Sequence, residues 1–260
     1  MSRGLGDVYK RQLLKSGSDP ETFEPGVGAM KALGGSDLLL STGLMPFEQS
    51  LTQKSASRGG ALRIVSVSEG IDLIHGTHGH EQAGEHRHSD ASGEREELYA
   101  DPHIWSSVGN ARIIAENVFR AICHADTART LYYTANYRTL IVRLDSLERA
   151  WKGRLAPVGG RSFAIRHPAL SYFARDFGLR QVALTDGQKE SSAGGRAQVL
   201  DGIRRAHPVV FFVEQGADPA RAEMAARTVG LNPVEINPMG ADWEGEMSRT
   251  VDALAGATPR

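Results

Sequence analysis

The sequence predicts an α/β protein of two lobes with parallel sheets, joined by one long rigid helix. Three observations carry that expectation. From 161 to 257 short apolar runs alternate with helical patterns, strand before helix each time, the order of a parallel sheet with helical crossovers. A shorter stretch of the same alternation lies between 27 and 70. Between the two, Thr127 to Leu155 runs without a proline and carries Leu131, Tyr137, Ile141, Leu144, Leu147 and Trp151 at near-heptad spacing. Globular helices average about 11–12 residues, so a helix this long reads as a strut between lobes.

In chain order, 17–25 (GSDPETFEP) is a turn rich in Gly, Asp and Pro. Val27, Met30 and Leu33 then recur at helical spacing. SDLLLSTG (36–43) is a buried strand closed by Gly43, Phe47 to Gln53 a short helix, and ALRIVSVSEG (61–70) a second strand. Residues 75–98 are polar, rich in His, Gly, Ser and Glu, and lack an apolar period; they read as a mobile loop. DPHIWSSVGNARIIAENVFRAI (101–122) opens a helix after a turn. Beyond Pro157, strands are expected at 161–167, 181–186, 208–215 and 232–240. Helices follow them at 169–178, 195–206, 218–230 and 243–257, and the Gly/Ser-rich stretch 187–195 with Glu190 and Ser191 reads as a flexible loop. The expected division is an N-terminal lobe 13–125, a linking helix 126–155 and a C-terminal lobe 156–260.

Composition narrows the function. Net charge is −1 with Lys and Arg scattered, so nucleic acid is not an expected partner. No apolar run approaches the roughly 20 residues of a membrane span. The single cysteine, Cys123, excludes an internal disulfide and a CxxC zinc site, so a transition-metal site would have to use His, Asp and Glu. Five of the nine histidines, His75, His78, His80, His86 and His88, fall in HGTHGHEQAGEHRHSD (75–90). The first residues, MSRGLGDVYKRQ, have no apolar core of a signal peptide. LGDVYKRQ resembles translated sequencing-adapter sequence, so residues 1–12 are expected to be non-native and the true start to be missing.

Four short motifs hold candidate ligands. In DPHIW, His103 sits on a turn stiffened by Pro102 and braced by Trp105; it reads as a fixed ligand or as an incidental turn residue. In RSFAIRHPAL, His167 ends a strand just before a helix, where open parallel sheets bind ligands; a core histidine is the other reading. In DPETFEP, Glu21 and Glu24 flank a stiff turn, as ligands or as solvated carboxylates. In INPMGADW, Asn237 and Asp242 lie near a strand end, and Asp242 also suits a helix N-cap. No GxSxG, GxxxxGK[ST], GxGxxG or HExxH occurs.

Together, GSDPETFEP, YADPHIW, FAIRHPALSYFARDFGL and VEINPMGADWEGEM, with the His-rich run before DPHIW and the long central helix, resemble the ZnuA-like solute-binding family of ABC transporters over residues 13–257. The resemblance implies the fold called class III or cluster A-I among periplasmic binding proteins, with a metal held between the lobes. It also implies a periplasmic or extracytoplasmic protein, a monomer, whose partner is an ABC transporter membrane permease. By the same resemblance, the first strand-helix unit of the N-terminal lobe and the signal peptide are expected to be missing. Residue by residue, it puts the second ligand on His103 and the third on His167. The first, usually His in the family, falls on Glu21, and the fourth, often Asp, on Asn237, with Asp242 or water as substitutes. Two imidazoles and a carboxylate suit Zn²⁺ better than Mn²⁺, and affinity should fall as pH drops toward an imidazole pKa of about 6.5. The His-rich run is expected to act as a secondary metal loop, a low-affinity collector or a sensor of metal abundance. The competing reading is a metal-dependent hydrolase with the same two-His-one-carboxylate set, for which Asp242 or Glu24 would be the base.

Overall fold

A computed structural model describes residues 10–14, 20–56, 62–76, 99–184 and 193–257. Among the described residues the N-terminal part contains α1 (Val27–Gly34), β1 (Leu38–Ser41), α2 (Pro46–Ala56), β2 (Arg63–Ser66) and, further along, α3 (Val108–Ala125). By chain order α3 is preceded by two short strands, so we number these β3 (His75–Gly76) and β4 (Tyr99–Ala100). β1 and β2 pair in parallel, with Leu39 opposite Ile64. β3 and β4 pair antiparallel, with His75 opposite Ala100 and Gly76 opposite Tyr99. A two-residue ladder is too short to leave a sequence signature, which is why 75–98 read as loop throughout.

The long helix, α4 (Thr130–Leu155), follows a 3₁₀ turn at Thr127–Arg129. It is anchored on both sides. Toward α3, Arg112 pairs with Asp145 at 2.8 Å and with Glu148, and Phe119 stacks on Tyr137 with centroids 4.6 Å apart. Toward the last helix, Arg143 forms a two-pronged pair with Glu244 at 2.6 and 2.7 Å. Leu144, Trp151 and Leu155 are buried, whereas Leu131 is 88% exposed. The apolar seam therefore starts later than the heptad reading placed it, because none of the described elements packs over Leu131 in the first turn of α4.

The C-terminal part contains β5 (Ser162–Ile165), α5 (Ser171–Phe177), β6 (Arg180–Ala183), α6 (Ala193–Ala206), β7 (Phe211–Glu214), α7 (Pro219–Val229), β8 (Pro233–Ile236) and α8 (Trp243–Ala255). Its four strands are all parallel, in the order β6-β5-β7-β8. The chain adds β6 on one side of β5 and β7 on the other. The space beyond the carboxyl ends of β5 and β7 is thus the topological switch point, the usual ligand crevice of such sheets. One face of the sheet packs Phe163, Ile165 and Phe212 against α4, α5 and α8, and the other packs Ala164, Phe211 and Val213 against α6 and α7. Burial of both faces explains the nearly continuous apolar runs in these strands. Asp242 caps α8, accepting from the Gly245 N–H at 3.1 Å. A Cβ on Gly245 would lie 2.2 Å from the Asp242 carboxylate, so only glycine lets that cap close.

At the α3–α4 corner Asp126 accepts from the Tyr133 hydroxyl at 2.8 Å and from Arg129. The Tyr133 bond first, then Arg129, hold the Asp126 carboxyl below its ordinary value of 3.8. A depressed carboxylate contributes stability that is complete above its unfolded pKa and is lost as pH falls through the folded one. Melting midpoints of the wild type should therefore fall more steeply below about pH 4 than those of Asp126→Asn; parallel curves would show that the corner carries no such linkage.

Candidate metal centre

Three chain segments converge at the switch point. The first ligand candidate, Glu21, lies in the turn before α1, which Phe23 ties to the start of α2 through an edge-on contact with Phe47 (5.0 Å, 82°). Glu48, in the first turn of α2, accepts from the Thr42 and Met45 backbone N–H groups at 2.8 and 3.2 Å, so that helix start is itself capped.

His103 lies just beyond the β3–β4 ladder. Asp101 extends the ladder by one bond, its N–H donating to Ile74 at 2.8 Å. Pro102 then turns the chain, and the Asp101 carboxylate accepts the His103 backbone N–H at 2.9 Å, an Asx-type turn. The same Oδ1 lies 2.7 Å from His103 Nδ1. Ile104, fully buried, and Ser106, whose hydroxyl donates to the His103 carbonyl at 2.9 Å, hold the following 3₁₀ turn. Burial alone would push the Asp101 carboxyl up. The hydrogen bonds and charge of His103, with a bond from Ser171, outweigh that and hold it below its ordinary value. An ionised Asp101 can only accept, so Nδ1 of His103 is the donor, and in the neutral imidazole that leaves the Nε2 lone pair for a metal.

His167 stands two residues past β5. Its backbone N–H donates to Glu214 Oε1 at 3.0 Å, while Arg166 Nε holds the other oxygen of Glu214 at 3.0 Å. Glu214 ends β7, so a single carboxylate ties the two strand ends flanking the switch point.

The ligand atoms meet. His103 Nε2 and His167 Nε2 are 3.0 Å apart, and Glu21 Oε1 lies 3.5 Å from His167 Nε2 and 3.8 Å from His103 Nε2. Donors held at about 2.0–2.2 Å around a tetrahedral zinc are roughly 3.3–3.6 Å from one another. The observed separations bracket that spacing. His103 is 5% exposed and the Glu21 side chain 18%, so the three atoms face a largely dehydrated point. Asp101 behind His103 completes the carboxylate–histidine arrangement that orients metal-binding imidazoles.

The other sequence candidates fare differently. Asn237, just beyond β8, donates from Nδ2 to Gln215 Oε1 at 2.7 Å, and its backbone N–H bonds Glu246 at 3.2 Å. Its amide nitrogen is engaged, leaving Oδ1 as the atom that could ligate. Asp242 is exposed and serves as the α8 cap. Glu24 is exposed and stands outside the Glu21–His103–His167 group. His75 is exposed on β3; His78, His80, His86 and His88 lie outside the described residues, as do Glu190 and Ser191. Three residues that matter here escaped the sequence reading: Asp101, Glu214 and Tyr172. The Asp-Pro-His spacing could have announced Asp101 as an Asx turn; nothing local announces Glu214, which is 47 residues from its partner.

Tyr172, on α5, is fully buried against Ile71 and Ile104. Its hydroxyl donates to the Asp101 carbonyl at 2.7 Å and accepts from the Ile74 N–H at 3.2 Å. Burial pushes that hydroxyl up to about 12, so it stays a neutral donor.

The chain is similar to known proteins in sequence and in fold. A family profile described as ZnuA, zinc-uptake complex component A periplasmic, matches residues 5–257. The zinc-binding protein AdcA of Streptococcus pyogenes serotype M3 (strain ATCC BAA-595 / MGAS315) is 26% identical over 258 residues, which cover 95% of this chain and 49% of AdcA. The zinc-binding lipoprotein AdcA of Streptococcus pneumoniae (strain ATCC BAA-255 / R6) is 24% identical, with 97% and 52% covered. The chain thus spans about half the length of these AdcA relatives. Among solved structures, ZnuA superposes with a TM-score of 0.78 at 25% identity, over 94% of this chain and 88% of that one. A manganese complex of FpvC from Pseudomonas aeruginosa superposes with a TM-score of 0.73 at 21% identity, over 94% of this chain and 88% of that one, and shares the fold. With its switch-point crevice, its long helix and a profile match over nearly its whole length, the chain belongs to the ZnuA family of periplasmic zinc-uptake components.

Proposed function

We propose that the protein captures Zn²⁺ outside the cytoplasm, as a monomer, and delivers it to an ABC transporter membrane permease. The observation that carries this reading is the convergence of Glu21, His103 and His167 with donor atoms 3.0–3.8 Å apart. In it the ion is cargo. Two imidazoles and one carboxylate favour Zn²⁺ over Mn²⁺, which prefers more oxygen, and water or Asn237 Oδ1 completes the shell. The names of the AdcA and ZnuA relatives support the choice of metal. No helix among the described residues is long and apolar enough to cross a membrane, in keeping with a separate permease. The hydrolase reading needs a general base beside the ion. Glu24 stands outside the group and Asp242 is committed to α8, which favours capture over catalysis.

The test is a zinc titration of metal-free protein against a competing chelator, run beside ester and amide hydrolysis assays. One tight ion per chain and no zinc-dependent turnover is the expected result; turnover would instead support the hydrolase. The secondary metal loop can be separated in the same assay. Gly76 and Tyr99 face each other across the ladder, so residues 77–98 can be replaced by an Asn-Gly turn. That variant should keep the tight ion and lose weaker additional ones. Loss of the tight ion would reverse the roles assigned to the loop and the centre.

A further inference from the structure

We propose that Tyr172 is a positioning residue for metal capture: its hydroxyl, held between Ile74 and Asp101, sets the separation of the His103 and His167 imidazoles. This rests on the capture reading above. Tyr172 comes five residues after His167 on the same lobe, yet among the described residues both hydrogen bonds of its hydroxyl go to the lobe that supplies His103. Three bonds close a ring there. Asp101 N–H donates to the Ile74 carbonyl (2.8 Å), Ile74 N–H donates to Tyr172 Oη (3.2 Å), and Tyr172 donates to the Asp101 carbonyl (2.7 Å). The backbone so fixed carries the carboxylate that orients His103 through both its N–H and Nδ1. The tyrosine ring lies against Ile104, the neighbour of His103, and Ile71. Arg175, one turn further along α5, covers the ring at 5.0 Å and donates to the Asp72 carbonyl at 2.7 Å. α5 is therefore pinned to the N-terminal lobe at the residue from which the His103 turn is hung. Without the hydroxyl, the Ile74 N–H and the Asp101 carbonyl lose a buried partner, and the turn is free to shift relative to His167.

The experiment compares full-length wild type, Tyr172→Phe and Ser107→Ala, each shown to be folded by circular dichroism at the assay temperature. Phenylalanine keeps the buried ring and removes only the hydroxyl. Ser107 donates to Asp176 of α5, so Ser107→Ala loosens the same helix without touching Asp101. Zinc affinity is read by chelator competition, and site geometry by the visible absorption of bound Co²⁺. Tyr172→Phe should still bind one ion, about 10–100-fold more weakly, with altered cobalt bands, while Ser107→Ala keeps both readouts at wild-type values. A chain with 4-aminophenylalanine at 172, which restores a donor, should recover affinity. The proposal is overturned if Tyr172→Phe matches wild type in affinity and spectrum, or if Ser107→Ala loses as much. A wild type that takes up no zinc would overturn the capture reading itself, and this proposal with it.

Discussion

His167→Ala should abolish tight zinc binding while leaving the fold intact. The side chain is 20% exposed, and the backbone is held by bonds that survive the substitution: Glu214 accepts its N–H, and its carbonyl accepts from Ala169 at 2.7 Å. What disappears is one of the two imidazole nitrogens, 3.0 Å from the other. Loss of a partner behind a ligand already costs about 10–100-fold in metal affinity, so loss of the ligand itself should exceed about 100-fold. A second readout follows from linkage. An ion that binds only the folded chain stabilises it by about 2.7 kcal/mol at a hundred times Kd, so zinc should raise the melting midpoint of the wild type and leave that of His167→Ala unmoved. His103→Ala should also lose the ion, but it leaves the Asp101 carboxylate, 15% exposed as a side chain, without its imidazole. Its effect therefore mixes binding with stability, and His167→Ala is the cleaner variant. An unchanged zinc affinity in His167→Ala would remove His167 from the centre.

Phe212→Ala should give the largest loss of stability. Phe212 is fully buried on β7, between β5 and β8, opposite Ile165 and Val234, with its ring edge-on to Phe163 at 5.6 Å. Truncating such a ring costs about 3–5 kcal/mol, because the surrounding side chains collapse only partly into the space it leaves. Globular domains have about 5–15 kcal/mol in all. At about 2–4 °C per kcal/mol for a chain of this size, the metal-free midpoint should drop by roughly 10 °C. Two residues later β7 ends at Glu214, which holds the His167 backbone. Zinc should therefore recover part of the lost stability by reorganising the strand end. A midpoint within about 2 °C of wild type would mean that the sheet repacks around the gap.

The C-terminal lobe was legible because each of its signals is local. VVFFV and SFAI are runs that only a strand covered on both faces can bury, and the Gly and Pro residues between them stop each helix near its observed end. The long helix was legible for the same reason, apart from its first turn, where Leu131 faces solvent. The β3–β4 ladder was not, since two residues per strand carry no periodicity and their pairing spans the His-rich run. In the centre, His103 and His167 stood out by motif, and the resemblance added Glu21. Whether Glu21 was a ligand or a solvated carboxylate could not be decided from DPETFEP alone.

The sequence by itself determined the class of fold, the order of its elements and the residue types able to bind a metal. These depend on periodicity, on breakers and on side-chain chemistry, all readable within a dozen residues. Only the tertiary structure decided which of those residues meet. Glu21, His103 and His167 are far apart along the chain, and a strand end, a turn after a ladder and a loop before a helix bring their donor atoms within 4.8 Å. It also decided that Asp242 caps a helix, that Tyr172 bonds the Asp101 backbone and that Glu214 holds the His167 backbone. Such roles depend on distances between segments, set by how the sheet and helices pack, and no local pattern encodes them.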